Sequence, residues 1–122
     1  MKVLICGGRD YTDTYQFDEA MKMLTFTPTV IIQGGARGAD ALAAQWGKMK
    51  GISVVQIDAL WDFYGKKAGS RRNQSMIEIM HPDYCIAFPG GFGTNDMVKR
   101  CQNAGIVTWL PYTTTIDKSV NA

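Results

Sequence analysis

The stretch TVIIQGGARGAD, residues 29–40, joins a short β-branched run to a glycine-rich turn and then to the start of a helical pattern. A continuous apolar run of this length predicts a strand that is buried on both faces, as in parallel sheets. The same transition occurs where Lys2–Cys6 runs into Gly7-Gly8 and where Tyr84–Phe88 runs into Pro89-Gly90-Gly91. We therefore expect three buried strands that each end in a glycine turn.

Around these strands, apolar residues recur at helical spacing, and strands alternate with helices. The pattern predicts strands over 2–6, 29–33, 52–57, 84–88 and 106–110, and helices over 15–26, 39–50, 70–80 and 94–105. Asp13, Ser70 and Thr94 are candidate N-caps of three of these helices. Residues 58–69 lack a clean period, so we expect a loop there, with Phe63 packed on the core.

Strict alternation with continuous apolar strands is typical of an α/β fold, here a Rossmann-like three-layer sandwich. Right-handed crossovers favour a five-stranded parallel sheet in the order 3-2-1-4-5. We expect one domain over residues 1–110 and a loosely held polar C-terminal tail over residues 111–122.

Composition indicates a globular chain with a small anionic partner. Apolar residues make up 46% and charged residues 20% of the 122 residues, as in ordinary soluble domains. No apolar run could span a membrane and no signal peptide is recognisable, so we expect a cytoplasmic protein. Three cysteines without a C-x-x-C motif, and His81 as the one histidine, argue against a disulfide or metal site. The net charge of +2 is spread along the chain, which argues against a duplex-DNA interface.

In the predicted strand order, the glycine turns after strands 1, 2 and 4 lie side by side at the carboxyl edge of the sheet. Open α/β sheets bind ligands in the crevice at this edge, where the strand order reverses. Glycine lets a ligand approach the backbone, and free amides beside a helix N-terminus form an anion site. Any one turn alone is explained equally well as a tight connection. The candidate binding residues in the turns are Gly8, Gly34, Gly35, Gly38, Gly90, Gly91, Gly93 and Thr94.

Three arginines accompany these turns. Arg9 and Arg37 sit inside glycine turns where packing needs no arginine, and a guanidinium matches a pair of phosphate oxygens. Arg72 falls in the first turn of the third long predicted helix, where the helix dipole disfavours a cation unless an anion is near. A surface ion pair is the alternative for Arg72.

Carboxylates and aromatic rings complete the candidate site. Asp10 and Asp40 could accept hydrogen bonds from ribose hydroxyls, although Asp40 could equally cap the second helix. Trp61 and Tyr64 could stack on a base or fold back onto the core.

Four motifs in order resemble the YspA/YpsA-related branch of the SLOG superfamily, which also includes DprA and the Lonely Guy phosphoribohydrolases. They are Gly7-Gly8-Arg9-Asp10-Tyr11, Gly34-Gly35-Ala36-Arg37-Gly38-Ala39-Asp40, Arg72-Asn73 with Met76, and Pro89-Gly90-Gly91-x-Gly93-Thr94. The match extends from about Lys2 to Ile106. The resemblance implies a Rossmann-like fold, a nucleotide-derived ligand contacted by Asn73 as well as Arg72, and a homo-oligomer.

The resemblance is incomplete at the position that matters for catalysis. Phosphoribohydrolases similar to this chain carry Pro-Gly-Gly-x-Gly-Thr-x-x-Glu, and the closing glutamate contributes to cleavage of the N-glycosidic bond. Here that position is Met97, which can neither stabilise an oxocarbenium-like centre nor activate water. Asp96 would project about 100° away on a helix. Only Asp96 or Asp10 could substitute, so we expect a binding protein rather than an enzyme.

The leading hypothesis is capture of an ADP-ribose-like or cyclic NAD-derived signalling nucleotide, by a sensor or a sequestering sponge. The turns and arginines would hold phosphate, Asn73 and Asp10 would contact hydroxyls, and no further cofactor is expected. The alternative is a nucleoside 5′-monophosphate phosphoribohydrolase of the Lonely Guy type, an N-glycosidase. Binding of single-stranded DNA, as by DprA, is a third hypothesis, weakened because no basic groove is visible.

Overall fold

The computed structural model describes residues 1–112, and its centre is a five-stranded parallel sheet. The strands are β1 (Lys2–Cys6), β2 (Val30–Gln33), β3 (Ser53–Gln56), β4 (Tyr84–Ala87) and β5 (Val107–Trp109). They pair in the order β3-β2-β1-β4-β5. The predicted α/β architecture and strand order are confirmed, and the strand order reverses between β1 and β4.

Helices fill the connections between the strands. They are α1 (Thr14–Lys22), α2 (Ala39–Met49), α3 (Trp61–Tyr64), α4 (Ala68–Met80) and α5 (Phe92–Asn103). The predicted loop over 58–69 is wrong in its later part, because the short α3 is followed by a 3₁₀ turn at Gly65–Lys67 and then by α4. Within residues 1–112, no helix combines the length and apolar character needed to cross a membrane.

Two apolar clusters cover the two faces of the sheet. On one face, α1 and α2 pack over Val3 and Ile5 of β1 and over Phe88, whose ring stacks on Phe17 of α1 at 4.7 Å. On the other face, α4 and α5 pack over Leu4 of β1 and its neighbours on β2 and β4. Successive residues of β1 are thus buried on opposite faces, which explains its continuous apolar sequence.

Of the three predicted N-caps, Asp13 is confirmed, because its Oδ1 accepts a hydrogen bond from the backbone N–H of Gln16 at 2.9 Å. Ser70 and Thr94 are not caps, since α4 and α5 each begin two residues earlier than predicted. The hydroxyl of Ser70 instead donates to the carbonyl of Lys67 at 3.2 Å. Both hydroxyls therefore lie inside a first helical turn.

Two aromatic side chains lie elsewhere than predicted. Phe63, expected in the core, is 77% exposed on α3. Tyr112, expected in the loose tail, packs near Phe88, and its hydroxyl donates to the carbonyl of Gln16 at 2.7 Å. The remainder of the predicted tail, residues 113–122, lies outside the described residues.

The three glycine turns interlock through their backbones. The N–H of Gly8 donates to the carbonyl of Pro89 at 2.9 Å, and the carbonyl of Gly8 accepts from the N–H of Ala39 at 3.1 Å. Gly38 has a φ of +79°, and a Cβ at this position would lie 2.5 Å from the carbonyl oxygen of Arg9. The turns after β1, β2 and β4 are therefore in direct contact, and α2 and α5 both start beside the end of β1.

Replacing Gly38 with alanine should destabilise the protein more than replacing Gly51. Both glycines have positive φ, +79° and +70°, so each substitution carries backbone strain of about 1–3 kcal/mol. A Cβ at Gly51 would have no neighbour within 4 Å, whereas one at Gly38 would collide with the turn after β1. We expect Gly38→Ala to cost about 1–3 kcal/mol more than Gly51→Ala, measured by urea unfolding at constant m. Equal losses in the free energy of unfolding of the two variants would contradict a tight contact between Gly38 and the turn after β1.

Candidate functional site

A cavity of about 380 Å³ opens at the carboxyl end of β1, among the turns after β1, β2 and β4 and beside the first turns of α4 and α5. This volume is typical of small-molecule sites, which span roughly 300–1,000 Å³. The cavity lies at the reversal of strand order, where open α/β sheets bind ligands. The predicted site residues that line it are Gly8, Arg9, Gly34, Asp40, Trp61, Arg72, Asn73, Gly91, Gly93 and Thr94.

The amino terminus of α5 presents free amide groups to this cavity. Gly91 is the N-cap, and its carbonyl accepts from the N–H of Asn95 at 3.1 Å. The amides of Phe92, Gly93 and Thr94 have no acceptor in the part of the chain that the structure describes, and all three residues line the cavity. Free amides and the helix dipole together favour negative charge. This end of the cavity is therefore suited to an anion.

Several amides of the other two turns are used inside the protein. The N–H of Gly8 bonds to the turn after β4. The N–H of Gly35 donates to the side chain of Gln33, and the N–H of Ala36 donates to Oδ2 of Asp40 at 3.2 Å. These bonds hold the turns in shape and remove donors that the sequence analysis offered to the ligand.

Arg72 is fixed against the turn after β2. Its Nη1 donates to the carbonyl of Gly34 at 2.7 Å, and its Nε donates to Oδ1 of Asn73 at 2.9 Å. An ideal Cβ on Gly34 would lie 2.8 Å from Cζ of Arg72, so glycine makes room for the guanidinium. Burial lowers the pKa of Arg72, and the nearby carboxylate of Asp40 opposes that change. Among residues 1–112, Arg72 forms no ion pair within 4.0 Å, so the surface pair considered for it is absent.

Asp40 is a buried carboxylate in the cavity wall, with 7% of its surface exposed. It does not cap α2, whose N-cap is Gly38 and lacks a side-chain cap bond, so the capping interpretation is wrong. Its Oδ2 closes the turn after β2 by accepting from Ala36. Burial raises the pKa of Asp40, and the backbone of Ala36 and the guanidinium of Arg72 oppose that rise.

Asp96 also lines the cavity, but its carboxylate is already engaged. Its Oδ2 accepts from Nδ2 of Asn73 at 3.0 Å and from Nε of Arg100 at 2.8 Å. Burial raises the pKa of Asp96, but the hydrogen bonds from Arg100 and Asn73 outweigh burial, and the net pKa is lowered. Asp96 is therefore ionised at neutral pH. The next residue, Met97, is buried at the cavity floor between α4 and α5.

The outer wall of the cavity combines one predicted residue, Trp61, with two that the sequence did not predict, Lys66 and Phe92. Trp61 lines the cavity, and the guanidinium of Arg9 lies over its ring at 5.4 Å from the centroid. Lys66 and Phe92 also line it. Lys66 was missed because it lies in a 3₁₀ turn without periodicity, and Phe92 because it occupies the variable position of a glycine motif. Tyr64, the other aromatic candidate, does not line this cavity.

Five predicted site residues do not line the cavity: Asp10, Gly35, Arg37, Gly38 and Gly90. Nη2 of Arg37 pairs with Oδ1 of Asp10 at 3.0 Å, and both side chains are largely exposed. Gly38 and Gly90 lie against the turn after β1. The structure gives these two glycines a role in shaping the turns, while their contact with a ligand stays a prediction.

The cysteines are free thiols on one side of the sheet. Cys85 and Cys101 are buried in the core under α4 and α5, and Cys6 reaches the cavity wall. Hydrogen bonding of the Cys85 thiol, as donor, to Cys101 and Cys6, together with burial, raises the pKa of Cys85 well above its ordinary value. Among the described residues, no three histidine, cysteine or acidic side chains cluster as a metal site would require.

Replacing Asp96 with asparagine should lower stability in a pH-dependent way. Because the pKa of Asp96 is lower in the folded chain than in the unfolded one, its stabilisation is present at neutral pH and is lost as the pH falls through the folded value. We expect Asp96→Asn to cost about 1 kcal/mol at pH 7. The difference from the wild type should shrink as the pH falls from about 5 to about 3, measured by urea unfolding. If the difference in the free energy of unfolding did not change with pH, the effect would come from packing and not from charge.

Comparison with known proteins finds a matching family and a related phage protein. A model of the YspA, cpYpsA-related SLOG family matches residues 1–64, which contain the first two glycine turns. Gene 61 protein of Mycobacterium phage D29 is 38% identical over 115 residues, covering 86% of this chain and 91% of that protein. The match indicates a nucleotide-related role, either ligand binding or phosphoribohydrolase-like activity. The chain belongs to the YspA, cpYpsA-related SLOG family.

Proposed function

We propose that this protein binds a phosphate-bearing nucleotide derivative, ADP-ribose-like or cyclic and NAD-derived, and releases it unchanged. The observation that carries the proposal is that the first residues of α5, whose amides have no acceptor among residues 1–112, line the same cavity as three cationic residues, Arg9, Lys66 and Arg72. The protein would act as a sensor, or as a sponge that sequesters a signalling nucleotide. A cytoplasmic location and assembly into a homo-oligomer belong to the same proposal.

The charges of the cavity wall favour a phosphate near α5. Three cations line the cavity against two carboxylates, those of Asp40 and Asp96. Asp96 is already engaged by Asn73 and Arg100. A phosphate at the amino terminus of α5 would accept from backbone amides there and lie in the field of the cationic side chains.

Two aromatic rings at the cavity support a nucleotide in preference to inorganic phosphate. Trp61 is half exposed, and Phe92 is 91% exposed. Stacking of a base on an aromatic side chain is worth about 1–3 kcal/mol. A ligand with a phosphate near α5 and a base against one of these rings would contact both the cationic and the aromatic residues of the cavity wall.

A second candidate function is hydrolysis of the N-glycosidic bond of a nucleoside 5′-monophosphate. The observation that favours it is the ionised carboxylate of Asp96 in the cavity, one residue before the position of the glutamate in related phosphoribohydrolases. Against it, two donors hold Oδ2 of Asp96, and Met97 supplies no group that could activate water. Binding without turnover is therefore the function that we propose.

The deciding experiment is a calorimetric titration with ADP-ribose, cyclic ADP-ribose isomers, NAD and AMP. Chromatography of each mixture after long incubation then determines whether the ligand is intact. Binding with recovery of intact ligand would support a sensor or sponge. Release of free base or ribose phosphate would identify a hydrolase, and failure of all four ligands to bind would contradict the proposal.

Two neighbouring lysines provide a matched test of the site. Lys66 lines the cavity, whereas Lys67, in the same 3₁₀ turn, does not. We expect Lys66→Ala to weaken binding of the tightest of these four ligands about 5- to 10-fold, by loss of one charge near the phosphate. Lys67→Ala should change the affinity less than about twofold. Calorimetry at one fixed salt concentration measures both, and equal effects would mean that the charge acts only at long range.

A further inference from the structure

We infer that residues 58–67, which comprise α3 and the 3₁₀ turn after it, form a lid that closes over the ligand cavity when a nucleotide binds. In closing, the lid moves toward the ligand and away from a second cavity on its other side. The inference rests on the proposed function, because the lid closes on the ligand of the first cavity.

The lid lies between two open spaces. Trp61 and Lys66 line the ligand cavity, whereas Leu60 and Tyr64 line a second cavity of about 530 Å³, bordered mainly by the lid and by α4. Packed elements resist displacement because their neighbours fill the space around them. The lid has open space on two sides, so it can shift from one cavity toward the other without a collision.

Few bonds hold the lid to the sheet. The N–H of Ile57 donates to the carbonyl of Gln33 at 3.0 Å, which fixes the chain just before the lid. Among residues 1–112, no backbone–backbone hydrogen bond joins residues 58–64 to a strand or to α1, α2 or α5, and α3 contains no buried residue. Segments with few buried contacts and few such bonds move at a low cost in free energy.

Two cation–π contacts hold the lid from opposite sides. The guanidinium of Arg9 lies 5.4 Å from the ring centroid of Trp61, at the ligand cavity. The guanidinium of Arg71 lies 4.6 Å from the ring centroid of Tyr64, at the second cavity. Closure keeps the first contact and breaks the second. The observed position is therefore the open state, and the contact between Arg71 and Tyr64 stabilises it.

The open state leaves apolar side chains of the lid exposed. Leu60, Trp61 and Phe63 are all exposed, within four positions of the chain. Contiguous exposed apolar surface marks a place where a partner or ligand binds. Because Trp61 already lines the ligand cavity, closure carries this surface onto the ligand, and its burial favours the closed state.

Gly65 provides a pivot at the end of α3. Its φ is +57°, and a Cβ there would meet no atom within 4 Å. The backbone at Gly65 can therefore change conformation without displacing a neighbour. Residues at the ends of elements commonly absorb such changes when a lid closes.

The test measures the position of the lid by double electron–electron resonance between two nitroxide labels. The labels are attached to Phe63→Cys, on the lid, and to Ile79→Cys, on α4 beside the second cavity; both positions are exposed. The chain also carries Cys6→Ser, while the buried Cys85 and Cys101 are left in place. Addition of ADP-ribose, or of whichever of its cyclic isomers, NAD and AMP binds most tightly, should lengthen the distance by more than about 2 Å.

A matched pair of labels shows that the change belongs to the lid. Labels on Met23→Cys, at the end of α1, and on Ile79→Cys should keep their distance, since neither is on the lid. Calorimetry on each labelled protein reports whether the nucleotide is bound. Bound nucleotide with an unchanged distance between positions 63 and 79 would overturn the lid and leave the proposed function intact. Failure of all four ligands to bind would contradict the proposed function, and the lid with it.

The affinity of an unlabelled variant provides a second test. Tyr64 does not line the ligand cavity, and its contact with Arg71 stabilises the open state only. We expect Tyr64→Leu to tighten binding of the same nucleotide about 2- to 5-fold, whereas Tyr15→Leu, at an exposed tyrosine of α1, should leave the affinity unchanged. Unchanged or weaker binding by Tyr64→Leu would overturn the inference.

Discussion

The two hydrogen bonds that Gly8 makes to the turns on either side determine where the candidate site lies. Its N–H reaches Pro89 and its carbonyl reaches Ala39, so the central strand β1 is tied to the starts of both α2 and α5. A Cβ on Gly8 would lie 2.9 Å from the carbonyl oxygen of Pro89, which is too close for any other residue without a shift. Backbone contacts between the turns therefore position the cavity, and these contacts require glycine at position 8.

The fold could be predicted because its signals are local and repeat along the chain. Continuous apolar runs mark strands buried on both faces, and crossover handedness then leaves few strand orders. The prediction failed over Trp61–Tyr64, because a helix of about one turn is too short to show a period. It also failed for Phe63, since nothing in the sequence distinguishes a ring that packs on the core from one that a short helix turns toward solvent. The starts of α4 and α5 were missed because the residues before Ser70 and Thr94 carry no capping signal.

The site was predictable in position but not in detail. Convergence of three glycine turns follows from the strand order, whereas the availability of each amide depends on bonds between turns that are distant in sequence. Arg9 and Arg37 illustrate this limit, since each sits in a glycine turn. The structure places Arg9 over the ring of Trp61 in the cavity, and it pairs Arg37 with Asp10 outside. Sequence spacing cannot separate these outcomes because both depend on contacts made after folding.

The two carboxylates of the cavity are the reason why we propose binding without turnover. Asp96 is held by donors from α4 and α5, so its charge contributes to packing of those helices and is poorly placed to activate water. Asp40 closes the turn after β2 by accepting from the N–H of Ala36, so its carboxylate is likewise engaged by the protein. Both carboxylates of the cavity wall are thus bonded within the protein, which is the ground on which we propose binding without turnover.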